Sequence, residues 1–216
     1  MSVLENWPWV FRLHAWWHGS RVNVRGKGSR VERAQARLIR TQVNVTGVNS
    51  RVILEPGCRL WDCAITVVGD DCEVIVGRDC RLRIAQLVVE DRGSRLHLGA
   101  ETSMTGAALL AQEGGLVRLG RDCMIGKETN IRNSDSHGLH AADGRRLNPA
   151  RDVLIGDHVW LGIDVFVCKG AKIGDGAMVG ACSMVSGELP AKCLAVGRPA
   201  VPVKADIRWT RTRDEK

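Results

Sequence analysis

From Ile155 onward the chain repeats one apolar position every six residues. The hexads IGDHVW, LGIDVF, VCKGAK, IGDGAM, VGACSM and VSGELP place Ile155, Leu161, Val167, Ile173, Val179 and Val185 six apart. Four residues after each of the first five stands Val159, Val165, Ala171, Ala177 or Ser183, always small or β-branched. A helix repeats its apolar face about every 3.6 residues and a strand every second residue, so neither explains this period. Short strands joined by tight corners do, with three hexads closing one triangular coil of a β-solenoid.

Upstream the same pattern runs in longer coils. GSRV (28–31), NSRV (49–52), DCEV (71–74), GSRL (93–96) and GGLV (114–117) recur at spacings of 21, 22, 22 and 21 residues. Each leads into alternating apolar pairs such as Val52/Leu54, Val74/Val76, Leu96/Leu98 and Val117/Leu119, a strand with one face inward after a polar turn. Such coils bury their apolar edges only by stacking on one another. The next equivalent strand, Val153 to Ile155, arrives 36 residues after Val117 to Leu119, which predicts an insertion of roughly 15 residues. Ile131 is the last residue in register; the loop, around 132–152, contains SDSHGLH and the turn pairs Asp-Gly and Asn-Pro. A long loop on a rigid scaffold is a usual place for function.

Composition refines this all-β picture. Seven Trp, two Phe and no Tyr leave a core of small side chains, which suits thin stacked layers. The eight cysteines form no Cys-x-x-Cys pair, and Cys58, Cys72, Cys80 and Cys123 each fall four residues after a Leu or Val at a repeat start. They read as small buried hydrophobes rather than disulfides or zinc ligands. A formal charge of +7 favours anionic partners: nucleic acid, phospholipid headgroups, a phosphorylated cofactor or an acidic saccharide. The basic residues are scattered through the repeats with no basic helix and no stripe of stacking aromatics, so nucleic acid is not expected. No apolar run is long enough to span a bilayer and no export signal is recognisable, which makes the cytoplasm the expected compartment.

The hexads at 155–190, the SDSH before a Gly-Arg-Arg-Leu-Asn-Pro-Ala loop, the IGDHVWLG that re-enters the ladder and the GRPA after it resemble the hexapeptide-repeat acyltransferases. Within them the resemblance is to bacterial sugar and capsular polysaccharide O-acetyltransferases. It implies a left-handed parallel β-helix, a homotrimer with active sites between subunits, acetyl-CoA as co-substrate and a saccharide as acceptor. The handedness comes from the resemblance alone, since the general rule for parallel crossovers favours the right-handed form.

Acetyl transfer to a hydroxyl needs a base for the alcohol proton and a donor for the oxyanion. His137, matching the family's loop histidine, is the expected base. Asp135, or a backbone carbonyl, would fix its tautomer. Ser134 and Ser136 are acceptor contacts rather than nucleophiles, because the family transfers directly. Trp160, sixth in its hexad and in line with Met178, should point outward; the resemblance puts it at the donor site, where its indole N–H would bind the thioester oxygen or oxyanion. The alternative is an aromatic packed into a subunit interface. His140 and His158 compete for the role of base, with surface or loop-pinning the expected role of His158. The three histidines are similar to the zinc set of carbonic anhydrases of this fold, but the paired spacing of those ligands is absent, so no metal is expected. For the CoA arm the expected contacts are Trp160, Gly162, Gly180 and Ala181, with Lys172, Lys192, Arg198 and Lys204 toward its phosphates.

The expected division is an N-terminal cap over 1–20, a β-helix over 21–190 and a C-terminal extension over 191–216. The Trp-rich start, NWPWVFRLHAWW, would cover the first coil, or else anchor the protein peripherally at a membrane near saccharide synthesis. Two rival functions stand beside O-acetylation: acetylation of an amine on a nucleotide sugar or another small acceptor, and a non-catalytic scaffold.

Overall fold

The computed structural model describes residues 19–213, so the cap expected over the first coil from residues 1–20 lies almost entirely outside the described residues. Every regular element among them is a strand, and the strands form three parallel faces of a triangular solenoid, the left-handed β-helix expected.

The first face stacks β1 (Arg21–Val24), β4 (Gln42–Thr46), β7 (Ala64–Val68), β10 (Gln86–Glu90), β13 (Ala108–Ala111), β16 (Asn130–Arg132), β19 (Phe166–Val167) and β22 (Met184–Val185). The second stacks β2 (Arg30–Glu32), β5 (Arg51–Leu54), β8 (Glu73–Val76), β11 (Arg95–Leu98), β14 (Leu116–Leu119), β17 (Val153–Ile155), β20 (Lys172–Ile173) and β23 (Glu188–Leu189). The third stacks β3 (Arg37–Ile39), β6 (Arg59–Trp61), β9 (Arg81–Arg83), β12 (Ser103–Thr105), β15 (Met124–Ile125), β18 (Trp160–Leu161), β21 (Met178–Val179) and β24 (Leu194–Gly197). The parallel ladder thus continues past residue 190 into β24. There β25 (Ala200–Lys204) closes the edge as an antiparallel partner.

The six hexad positions from Ile155 to Val185 are all buried, none more than 3% exposed. The small positions between them are buried as well, because a corner interior holds little beyond a methyl, a hydroxyl or a thiol. Where the corner carries a hydroxyl, it stitches coils together: Ser50 Oγ donates to the Gly69 carbonyl at 2.7 Å and accepts from the Cys72 amide at 3.0 Å. Thr102 does the same with Gly120 and Cys123 at 3.0 and 3.1 Å. At Cys63 and Cys123 the corner carries a thiol, and burial pushes its pKa up, to about 12 and about 11, so these two cysteines are inert packing residues.

β17 pairs with β14 in the register Val117↔Val153, Arg118↔Leu154 and Leu119↔Ile155. The insertion therefore interrupts only the corner between the first and second faces. Among the described residues no helix is long and apolar enough to cross a membrane.

Candidate functional site

The loop leaves the solenoid after β16 and returns at β17, and its base is tied to corner residues of neighbouring coils. Asn133, fully buried, donates to the Gln112 carbonyl at 2.9 Å and accepts from the Gln112 amide at 2.8 Å. Ser134, also buried, donates to the Glu113 carboxylate, and Ser136 Oγ donates to Gln112 Oε1 at 2.8 Å. Both serines are thus committed to holding the loop. Glu113 also receives both terminal nitrogens of Arg146, at 2.6 and 2.8 Å. The Arg146 guanidinium, helped by the Ser134 hydroxyl and against the effect of burial, holds the Glu113 carboxyl down at about 2.

Asn148 organises the rest of the loop. Its amide donates to Asp135 Oδ2 at 2.8 Å and to the His137 carbonyl at 2.9 Å, while its Oδ1 accepts from the Leu139 amide at 2.6 Å. Lys169, from the same corner one coil on, ion-pairs with Asp135 and reaches the Asn148 carbonyl at 3.0 Å. Lys169 first and Asn148 second keep the Asp135 carboxyl below its ordinary range. Asp135 Oδ2 is therefore engaged by Lys169 and Asn148, and what reaches His137 is a bond to its backbone. Between His137 and Asn148 the chain folds on itself through the His140↔Arg146 bridge and the Leu147 to Leu139 amide–carbonyl bond at 2.7 Å. His137, His140, Leu139 and Leu147 all stand exposed on this loop.

Trp160 lies elsewhere. On the outer surface of the third face it follows Met124 and precedes Met178, in the register the hexads predicted. The third face lies across the triangle from the corner that carries the loop. One chain consequently does not bring His137 and Trp160 together. Nor is Trp160 a freely exposed aromatic: it is half-buried, with the Trp209 ring 5.9 Å away at 52°.

Trp209 belongs to the C-terminal extension VKADIRWTRTRDEK, which packs against the solenoid as a strap. After β25 the chain crosses back over the third face, its Ile207 amide bonded to the Lys192 carbonyl at 2.9 Å. Trp209, only 6% exposed, donates its indole N–H to the His158 carbonyl at 2.9 Å. Arg211 then reaches Asp122 and Ser103, at 2.7 and 2.8 Å. His158 has both ring nitrogens occupied, Nδ1 by Asp122 at 2.7 Å and Nε2 by the Trp209 carbonyl at 3.1 Å. Burial pushes the Asp122 carboxyl up, but Arg211 and His158 together hold it below its ordinary value. The pinning role expected for His158 has this physical form. A lone Trp in the charged run VKADIRWTRTRDEK was the available signal.

The residues expected to meet the CoA arm fall into two groups. Gly162, Gly180 and Ala181 stack at the corner between the third and first faces, where Ile163, Asp164 and Cys182 are exposed. Arg198 shares that corner, donating to the Cys182 carbonyl at 2.7 Å and lying 3.4 Å from Asp164. Lys204 ends β25, on the edge of the third face. Lys172, by contrast, lies on the second face and pairs with Glu188 at 2.6 Å. The glycine at 162 is also demanded by stacking, since a methyl there would sit 2.7 Å from the Ala181 amide nitrogen. Among the described residues no three His, Cys, Asp or Glu side chains are grouped to hold a metal ion.

Residues 152–187 match the family model described as bacterial transferase hexapeptide (six repeats). A polysialic acid O-acetyltransferase of Neisseria meningitidis is 30% identical over 131 residues, covering 60% of this chain and 60% of the relative. One of Escherichia coli O1:K1 / APEC is 30% identical over 126 residues, covering 58% of this chain and 41% of the relative. The aligned part thus spans less than two thirds of these relatives' own length. The solved structure of the polysialic acid O-acetyltransferase OatWY superposes with a TM-score of 0.86 at 27% identity, over 90% of this chain and 93% of that one. The hexapeptide repeat read from the hexads is thus matched by a family model, and the fold that it builds is similar to that of a solved polysialic acid O-acetyltransferase.

Proposed function

We propose that the protein is an O-acetyltransferase that moves an acetyl group from acetyl-CoA to a hydroxyl of a saccharide. The observation that carries this reading is the loop around His137: ion pairs, buried serines and the Asn148 amide fix its backbone, yet the His137 ring stands in solvent with none of those partners on it. A histidine held that way is placed to exchange protons with a ligand. The polysialic acid O-acetyltransferases among the relatives supply the chemical class.

Acetyl-CoA supplies an activated thioester. His137 takes the proton of the acceptor hydroxyl as its oxygen attacks the thioester carbon, and returns it to the departing sulfur. The Trp160 indole N–H, or backbone amides of the corner at Gly162, would bind the oxyanion. The exposed backbone at Ile163–Asp164 and Ala181–Cys182 offers a narrow arm a corner to follow, with Arg198 and Lys204 toward its phosphates. Lys172 sits on another face, and Asp164 already lies beside Arg198, so the phosphate side of this reading rests mainly on Lys204.

His137 and Trp160 work together only if the loop of one copy meets the third face of another, which makes a homotrimer part of the proposal. The test is mass-spectrometric detection of acetyl transfer to a panel of free sugars, nucleotide sugars and acidic oligosaccharides, comparing wild type with His137→Ala. Acetyl ester on a saccharide, lost in the variant, is the expected result. Amide product on an amino sugar, or undiminished turnover in the variant, would overturn the reading.

A further inference from the structure

The arginines that look scattered along the sequence are aligned by the coil register. Arg37, Arg59 and Arg81 are direct neighbours on β3, β6 and β9, in one outward column of the third face. All three are exposed, and none has an ion-pair or hydrogen-bond partner among the described side chains. Neighbouring strands lie about 4.8 Å apart, so this column stacks like charges at a spacing that is destabilising without a counter-charge. The fold neutralises such arginines elsewhere: Arg51 meets Glu73 on the adjacent strand, and Arg40 holds Asp62 with bonds of 2.6 and 2.8 Å.

We propose that this column is a binding track for an acidic polysaccharide, an inference that rests on the saccharide reading above and names the class of acceptor. Three features of the face support it. Arg59 and Arg81 line an open polar cavity of about 520 Å³ whose other walls include Asp79 and Glu101. Guanidinium groups fork onto a sugar carboxylate while carboxylates accept from sugar hydroxyls, so the mixed lining suits a polymer that carries both. The phosphodiester backbone of DNA offers Asp79 and Glu101 no donor, whereas a saccharide offers hydroxyls along its length. Beside the column Trp61, half-buried between Ile39 and Arg83 on the same face, gives a flat apolar surface.

The track also leads somewhere. The column runs from Arg81 through Ser103 and Met124 to Trp160, a rise of three strands or about 14 Å. Arg211 of the strap fills the gap after Arg81, its guanidinium on Ser103 at 2.8 Å while paired with Asp122. A chain lying along the arginines would therefore reach the candidate site by its end.

The test is binding of the full chain, without acetyl donor, to polysialic acid, to dextran of similar length and to single-stranded oligothymidylate, at two salt concentrations. Compared are wild type, Arg37→Gln/Arg59→Gln/Arg81→Gln, and a control that removes the same charge from other exposed positions, Arg25→Gln/Arg95→Gln/Arg118→Gln. The expected result is salt-sensitive binding to polysialic acid and not to dextran, weakened about tenfold or more in the column variant and little in the control. Equal loss in both variants would overturn the track in favour of net charge, and tighter binding of the oligonucleotide through the same arginines would make it a nucleic-acid surface. Because no transfer is measured, a protein that binds through the column but acetylates nothing would keep the track while removing the transferase reading.

Discussion

Trp209 lies flat on His158, ring centroids 3.9 Å apart and planes within 4° of each other. Fifty-one residues of sequence separate their hydrogen-bonded partners, and the contact closes the strap over the third face beside Trp160. Trp209→Ala should therefore release the strap without unravelling the coils, whose core does not include it. Limited trypsin digestion reads this as fast cleavage after Arg208 and Arg211, with the coil domain intact. Wild-type resistance in the variant would mean the other strap contacts suffice.

Glu113 makes the loop sensitive to acid. Its carboxyl is held at about 2 against an ordinary 4.5, so the folded state favours the ionised form. A depressed carboxylate pKa contributes stability that is fully present above the unfolded value and is lost as pH falls through the folded one. Amide exchange in residues 134–148 should accordingly accelerate between about pH 4.5 and 2 relative to the coils, after correction for intrinsic rates. In Glu113→Gln that extra step should be absent and exchange should already be faster at neutral pH. An unchanged step would place the acid sensitivity in another group.

Lys169→Met removes the cation that holds Asp135 while leaving the coil core untouched. If the Asp135–Lys169–Asn148 cluster sets where His137 stands, turnover should fall roughly tenfold or more with little change in thermal midpoint, since a small misplacement of a catalytic group is costly to rate. Rescue by Lys169→Arg, measured as recovered kcat, separates a positioning role from a direct one. A rise in KM alone would point to the acceptor rather than the histidine.

Gly162→Ala tests the corner itself. The added methyl meets the Ala181 amide nitrogen at 2.7 Å, backbone against side chain, so the coils must separate locally. Overpacking of this kind costs about 1–3 kcal/mol, which chemical denaturation would resolve as a lower midpoint at constant slope. An unshifted midpoint would show that the corner yields more easily than its stacking implies.

Much of this was readable from the chain. The hexads fixed which residues turn inward, and the 36-residue gap between Val117 and Val153 located the loop to within a residue or two of its observed ends. Those signals are periodic, and periodicity survives in one dimension. The partners of His137 were not readable. In sequence Asn148 is only the first residue of an Asn-Pro turn pair, Asp135 is a candidate partner for the imidazole, and nothing singles out Lys169, because no spacing says that one corner gathers all three. The same holds for the arginine column: residues 22 apart in the chain become neighbours only when the coil length is converted into register.

Placing the insertion at a corner has an evolutionary consequence. Val117 meets Val153 as though no residues intervened, so the ladder is blind to what the loop contains. Substitutions, or changes in length, between Gly138 and Arg145 alter the exposed surface of the loop while every coil keeps its neighbours and Arg146 keeps Glu113. A loop on such a corner can change its chemistry without first making the coils less stable.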